Sequence, residues 1–110
     1  MRKLTGIGRD DVLARCRDAV RRAEPEADVI LYGSRARGDW SEESDYDILV
    51  LVDGPVPLSR EERVRDELYP LELETGEVLT VVVESRARWR SSIYQAMPFV
   101  QNVEREGAIL

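Results

Sequence analysis

The sequence predicts a single α/β domain, of the α+β kind, built on a small mixed β-sheet of about three to four strands flanked by helices. Short apolar, β-branched runs alternate along the chain with segments whose apolar residues recur at helical spacing. The 110 residues suit one domain, 1–110, and neither a repeat nor a linker divides them. A domain of this size can bury one core but leaves little room for a second binding module.

The first helix is predicted from about Asp10 to Ala23. Apolar residues recur there every three or four positions, whereas arginine and aspartate fill the opposite face. Pro25 ends this helix. Residues 28–32 follow as a mostly apolar run that stops at Gly33, which predicts a short buried strand.

A polar segment, residues 33–44, separates this strand from the next and is predicted to contain one helical turn after Gly33. Trp40 within it would either stack on a nucleobase or anchor the loop. Residues 46–52 then form a strand that is apolar on both faces beyond Asp47. Such a strand is typical of the interior of a sheet that is covered on both sides.

The second long helix is predicted to begin at a capping box formed by Ser59 and Glu62. Pro70 lies inside its apolar pattern, so we expect a kink or a break there. Gly76 is a typical end signal.

The last third of the chain is predicted to supply one strand and one short helix. Residues 78–83 are rich in β-branched side chains and predict a strand. Residues 86–95 fit a helix or a loop. Residues 98–106 predict a short helix that starts with proline and ends at Gly107.

Composition excludes several classes of function. Acidic residues outnumber basic ones by 22 to 16, which argues against non-specific binding of nucleic acid but permits a phosphate ligand that arrives with a cation. The single cysteine, Cys16, excludes an internal disulfide and favours a reducing, cytoplasmic location. No apolar run approaches the length of a membrane span. Because the chain has no histidine, a histidine base and a histidine-ligated zinc site are excluded.

The first candidate site feature is the Gly33-Ser34 pair at the end of a predicted strand. Glycine allows a ligand to approach the backbone closely, and the N–H groups of a following helical turn would face an anion. Ser34 adds a hydroxyl donor. Arg35 and Arg37 could neutralise phosphate charge, and since residues two apart on a helix point in different directions, we expect one to face the ligand and the other to pair with a carboxylate.

The second feature is the carboxylate pair Asp45 and Asp47. Side chains two apart on a strand share a face, so both carboxylates could hold a divalent cation at the mouth of the strand. One or two Mg²⁺ ions suit oxygen ligands and substrate phosphates, and Mn²⁺ could replace them. Two solvated acids at a strand edge would be the alternative, although aspartate is depleted in strands.

The two features together resemble a known family. The stretch LYGSRARGDWSEESDYDILVLV is similar to the signature of the DNA polymerase beta-like nucleotidyltransferase superfamily, and in particular to the minimal nucleotidyltransferases (MNT) of prokaryotes. Weaker resemblance covers most of the chain, including the tail PFVQNVEREG.

The resemblance implies the polymerase beta-like fold and transfer of a nucleoside monophosphate, AMP from ATP, to a hydroxyl. It assigns metal binding and catalysis to Asp45 and Asp47, and triphosphate binding to Gly33 and Ser34. Members often pair with a small helical partner of the HEPN class in toxin-antitoxin systems. In such pairs the nucleotidyltransferase can silence the partner by adenylylating it. The acceptor hydroxyl would then lie on the partner protein, although a second copy of the chain is an alternative partner.

The sequence departs from the family pattern at one position. The family usually supplies a third carboxylate from the middle of the next strand, where this chain has Thr80. Glu77 points to the opposite face and Glu84 lies about 13 Å further along an extended strand, so neither replaces it. Two alternatives therefore stand beside the transferase: an antitoxin that binds nucleotide or protein but transfers slowly or not at all, and a structural domain that binds only a divalent ion.

Overall fold

The computed structural model describes residues 1–4, 11–39 and 41–110. The predicted helix start at Asp10 and the two interpretations of Trp40 lie outside these residues. In chain order the elements are β1 (Arg2–Lys3), α1 (Val12–Ala23), β2 (Asp28–Tyr32), α2 (Ser34–Arg37), β3 (Tyr46–Val52), α3 (Leu58–Thr75), β4 (Leu79–Ser85), α4 (Arg86–Arg90), α5 (Ser92–Gln95), α6 (Pro98–Glu106) and β5 (Ala108–Ile109).

The strands form one mixed sheet in the order β1-β5-β2-β3-β4. β3 is parallel to β4, and β1 is parallel to β5, whereas β2 runs antiparallel to both of its neighbours. The predicted class, a mixed sheet flanked by helices, is confirmed. The predicted count of three to four strands is too low, because β1 and β5 have only two residues each and pair the two ends of the chain.

Helices cover both faces of the sheet, as predicted from β3, which is apolar on both faces beyond Asp47. Alternate residues of β3 enter different cores: Ile48 and Val50 face a core shared with α1 and α3, whereas Leu49 and Leu51 face a core shared with α4 and α6. Cys16 is fully buried in the first core, and burial raises the pKa of its thiol to about 12. It therefore packs as a small apolar side chain.

The ends of α3 follow backbone preference more than side-chain capping. The predicted capping box at Ser59 is wrong, because the helix begins at Leu58 with Pro57 as its N-cap and no side-chain cap bond. Pro70 does not break the helix, which continues to Thr75 with Leu68 and Leu71 buried on either side of the proline. Gly76 ends the helix in the left-handed conformation, at φ 72°, which confirms the predicted stop.

The tail folds back across the second face of the sheet. Residues 86–95 form two short helices, and α6 spans 98–106 as predicted. Gly107 joins α6 to β5 where a side chain would not fit, since an added Cβ would lie 2.6 Å from the carbonyl oxygen of Val103. In the part of the chain that is described, no helix is long and apolar enough to cross a membrane.

Candidate functional site

The predicted site residues meet at one edge of the sheet. The carboxyl end of β2 lies there beside the amino ends of β3, β4 and β5. Tyr32 pairs with Asp47, and Asp47 pairs in turn with Thr80. All three side chains lie on the face of the sheet that α6 covers. Each either packs against the core beneath α6 or lies two positions along its strand from a residue that does. The loop 33–44 connects β2 to β3 across this edge.

Gly33 brings the turn after β2 into contact with the carboxylate on β3. Its backbone has φ 74° and ψ −159°, a conformation that side chains rarely allow. A Cβ at this position would lie 2.2 Å from Oδ2 of Asp47. The carbonyl of Gly33 accepts the N–H groups of Ala36 and Arg37 and so begins α2. Glycine is therefore required both by the turn and by the approach of Asp47.

Asp47 is the more buried member of the carboxylate pair. Burial and the nearby charge of Asp45 raise its pKa, Arg37 opposes that rise, and Glu106 adds to it. Asp45 is exposed and precedes β3 directly. The two carboxylates are thus close enough to repel each other, and a bound cation would relieve that repulsion.

The two arginines of the turn have different environments. The guanidinium of Arg35 lies 4.0 Å from the ring centroid of Tyr46 and donates to the carbonyl of Ser44 at 2.9 and 3.1 Å. It also lies 3.7 Å from Glu77. Tyr46 points to the face of β3 opposite Asp47, so Arg35 braces the loop from the far side of the strand.

Arg37 lies on the site side. Its Nη1 donates to Glu106, and its Nε donates to Asp39 at 3.2 Å. Hydrogen bonds to Asp39 and Glu106 raise the pKa of Arg37. The positive charge of Arg37 in turn lowers the pKa of Asp47. Its side chain is 46% exposed. Of the two arginines, Arg37 is therefore the one near the carboxylates.

Ser34 begins α2 directly after Gly33. It is half-buried, and its carbonyl accepts the N–H groups of Gly38 and Asp39, which closes the turn. Gly38 supplies the left-handed residue that ends α2, at φ 87°. The segment is thus a compact single turn, as predicted after Gly33.

Glu106 is a residue at this edge that sequence reasoning missed. Its Oε1 accepts the N–H of Gly33 at 3.2 Å, and it accepts from Arg37 with both oxygens at 3.2 and 3.3 Å. Glu106 is 73 residues from Gly33 in the chain, so local spacing does not connect the two. The similarity of the tail to family members is the one sequence signal that singles out this segment.

Thr80 stands where the family pattern leads us to expect a third carboxylate. It pairs in register with Asp47 and is exposed. Glu77 is turned toward Arg35, and Glu84 accepts the hydroxyl of Tyr94 at 3.3 Å. Among residues 1–4, 11–39 and 41–110, no group of three or more carboxylate, thiol or imidazole side chains is placed to hold a metal ion.

The mixed sheet brings the Gly33 turn against Asp47 of the neighbouring strand, as the resemblance to the nucleotidyltransferases leads us to expect. Comparison with family models gives the same class independently of the geometry. Residues 13–107 match the family described as nucleotidyltransferase domain, and the chain belongs to this family. The resemblance to minimal nucleotidyltransferases is thereby confirmed.

Named relatives agree with this assignment, and a solved structure has a similar fold. The chain is 39% identical over 82 residues to "Putative protein adenylyltransferase MJ0604" of Methanocaldococcus jannaschii, which covers 74% of this chain and 75% of that protein. It is 50% identical over 36 residues to "Putative protein adenylyltransferase MJ0141" of the same organism, across 33% of this chain and 36% of that protein. The fold resembles a chain in "Crystal structure of the toxin-antitoxin with AMP-PNP", with a TM-score of 0.62 and 20% identity over 87% of this chain and 69% of that chain.

Proposed function

We propose that the protein transfers AMP from ATP to a hydroxyl group on a partner protein. The observation that supports the proposal is the close approach of Asp47 to the Gly33 turn, where an added Cβ would lie 2.2 Å from Oδ2 of Asp47. The backbone N–H groups of this turn would then bind phosphate beside a carboxylate that would hold the cation. Family membership supplies the reaction class, nucleotidyl transfer. The names of the two Methanocaldococcus jannaschii relatives support a protein acceptor and an adenylyl donor.

The triphosphate would bind at Gly33 and Ser34, with Arg37 neutralising charge beside them. Arg35 would contribute indirectly, by fixing Ser44 immediately before Asp45. Arginine suits phosphate oxygens because its donors form a planar fork. The exposed edge beside Thr80 would admit the acceptor hydroxyl.

The donor chemistry of the site fits magnesium. Asp45 and Asp47 would hold one or two Mg²⁺ ions, or Mn²⁺, since magnesium is commonly bound by one or two carboxylates together with substrate phosphates and water. The elevated pKa of Asp47 reflects a burial and repulsion that such a cation would offset. When bound, the cation would supply charge neutralisation at the phosphates and acidify the attacking hydroxyl.

The partner in this proposal is a small helical protein of the HEPN class, in a toxin-antitoxin pair. The similarity of the fold to a chain of a toxin-antitoxin structure that contains AMP-PNP supports both the pairing and the nucleotide. The resemblance to minimal nucleotidyltransferases supports the HEPN class of partner.

A second candidate function is neutralisation of the partner by contact alone, with slow transfer or none. The observation that favours it is Thr80 beside Asp47, because a neutral hydroxyl supplies no negative charge to a metal ion and does not act as a base at neutral pH. In this case the nucleotide site would survive without rapid chemistry.

The decisive experiment compares wild type with the double variant Asp45→Asn and Asp47→Asn, using radiolabelled ATP, Mg²⁺ or Mn²⁺, and the products of the neighbouring genes as candidate partners. We expect label on the partner with wild type and at least about a hundredfold less with the double variant. A matched control, Asp18→Asn with Asp66→Asn, removes two exposed carboxylates elsewhere and should transfer normally. If wild type transfers no label while both forms neutralise the partner equally, the contact mechanism is correct.

A further inference from the structure

Glu106 occupies the donors that the proposed function assigns to a phosphate. Its carboxylate accepts the Gly33 N–H at 3.2 Å and bonds to Arg37 through both oxygens. The Glu106 side chain is only 15% exposed, so these hydrogen bonds are largely shielded from solvent. A carboxylate and a phosphate both present acceptor oxygens with negative charge, and they compete for the same N–H and guanidinium donors.

Glu106 also adds negative charge where a polyanion would have to bind. Asp45 and Glu106 both act on Asp47 as like charges, and among residues 1–4, 11–39 and 41–110 the cation that acts on it is Arg37, which pairs with Glu106. Asp39, which is exposed to solvent, also forms an ion pair with Arg37. An incoming triphosphate therefore meets repulsion from Glu106 and finds Arg37 already paired.

The backbone around Glu106 is fixed. Gly107 donates to the carbonyl of Val103 at 2.7 Å, and Ala108 is fully buried in β5. Val103, one turn before Glu106, is buried in the core beneath α6. Release of Gly33 and Arg37 would therefore need only rotation of the Glu106 side chain, without movement of α6.

We propose that Glu106 is an internal competitor of the triphosphate, a carboxylate from the tail helix that must give up the Gly33 amide and Arg37 when nucleotide binds. The proposal rests on the proposed function, because it takes Gly33 and Arg37 as triphosphate contacts. It gives Glu106 a role in setting nucleotide affinity. The same bonds would keep the turn and Arg37 ordered until the phosphates replace the carboxylate.

The test is Glu106→Gln, which keeps the shape of the side chain and removes its charge. We expect the dissociation constant for Mg-ATP, measured by calorimetry, to fall about two- to fivefold, the size expected for one partly exposed charge. Asp39→Asn is the matched control, because it removes a charge beside the same arginine without touching the Gly33 amide. Glu106→Asp keeps the charge but withdraws the carboxylate by about one bond length, and it should tighten binding by a smaller factor.

Unchanged or weaker binding by folded Glu106→Gln would overturn the proposal and show that Glu106 supports the site. An equal gain in Glu106→Gln and Asp39→Asn would also overturn it, because general charge relief would then suffice. A variant that merely loses structure would not bind more tightly, and thermal unfolding checks that both variants fold. If Glu106→Gln is unfolded, Glu106→Asp decides the question by the same criterion.

A second titration, with inorganic triphosphate and Mg²⁺, separates this proposal from the proposed function. The amide resonance of Gly33 is followed by NMR in wild type and in Glu106→Gln. If neither protein binds ATP but the Gly33 resonance shifts more readily in the variant, the competition is supported and the nucleotide assignment fails. If ATP binds equally to both, the nucleotide assignment holds and the competition is wrong. If no anion shifts the resonance in either protein, both fail.

Discussion

At the scale of single residues, Gly33 is constrained both by its backbone conformation and by the close approach of Asp47. An alanine there would have to adopt φ 74° and would place its Cβ 2.2 Å from the Asp47 carboxylate. Gly76 has nearly the same φ, 72°, but no atom lies within 4 Å of an added Cβ. Substitutions at Gly33 and Gly76 therefore separate the free-energy cost of the backbone conformation from the cost of displacing Asp47.

Gly33→Ala should lower the free energy of unfolding by about 1–2 kcal/mol and should also weaken Mg-ATP binding by about tenfold or more, because the turn and the carboxylate must move apart. Gly76→Ala should lose only the part of this stability that comes from the backbone conformation, with unchanged nucleotide binding. Urea denaturation and calorimetry measure the two effects. Normal ATP binding by Gly33→Ala would contradict the assignment of this turn to the phosphates.

Residue spacing identified which residue types gather at the site but did not determine their roles. Arg35 and Arg37 are equivalent in the sequence, yet Arg35 follows Tyr46 to one face of β3 and Arg37 lies near Asp47 on the other. Which of the two arginines lies near Asp47 depends on the path of the loop between β2 and β3. Glu106 was beyond prediction from spacing, because its contact with Gly33 exists only once α6 is docked on the sheet.

At the scale of elements, a clamp centred on Arg60 holds α1, β3 and α3 together. Arg60 donates to both oxygens of Glu24 at 2.7 and 2.8 Å and to the carbonyls of Asp53 and Pro55 at 2.7 and 3.0 Å. Glu24 lies at the end of α1 and is 8% exposed. The hydrogen bond with Arg60 lowers the pKa of Glu24 below its ordinary value near 4.5, against the opposing effect of burial.

Arg60→Met should therefore destabilise the protein by about 2–4 kcal/mol at pH 7, because it leaves a mostly buried carboxylate unpaired. A depressed carboxyl pKa contributes stability above its unfolded value, near 4.5, and that contribution is lost as the pH falls through the folded pKa. The difference between wild type and variant should thus shrink below about pH 4.5. Denaturation at a series of pH values measures it.

The matched control is Arg22→Met, which removes the exposed pair between Arg22 and Glu67. Such pairs contribute about 0–1 kcal/mol, so little change is expected at any pH. An Arg60 variant that loses the same amount of stability at pH 3 as at pH 7 would exclude Glu24 as the source of the effect.

Element prediction succeeded where one local signal acts alone and failed where distant parts of the chain compete. Gly76 ends α3 and Pro98 begins α6 as expected, since glycine and proline act through their own backbones. Pro70 is tolerated inside α3 because the buried residues of the helix, Leu68 and Leu71 among them, hold it on the sheet by tertiary packing. The two-residue strands β1 and β5 carry no pattern of their own and exist because the ends of the chain meet on the sheet.

At the scale of the whole molecule, the sheet separates two cores with different relations to the site. The core under α1 and α3 is the larger and lies on the side of Tyr46 and Arg35. The core under α4 and α6 is smaller and lies on the side of Asp47, where α6 delivers Glu106. Damage to either core should cost stability, but only the second should alter the site.

Val103→Ala in α6 and Val64→Ala in α3 test this separation, because both valines are almost completely buried, at 1% and 0% exposure. Each substitution should lower the free energy of unfolding by about 2 kcal/mol, through two lost methyl groups and the cavity that remains. Only Val103→Ala should loosen the bond between Glu106 and the Gly33 amide, which lies one turn beyond the cavity. Faster hydrogen exchange at Gly33 in Val103→Ala, with the wild-type rate in Val64→Ala, is the expected result. Equal acceleration in both would mean that Gly33 exchanges through global unfolding, and α6 would then have no separate control over the phosphate-binding turn.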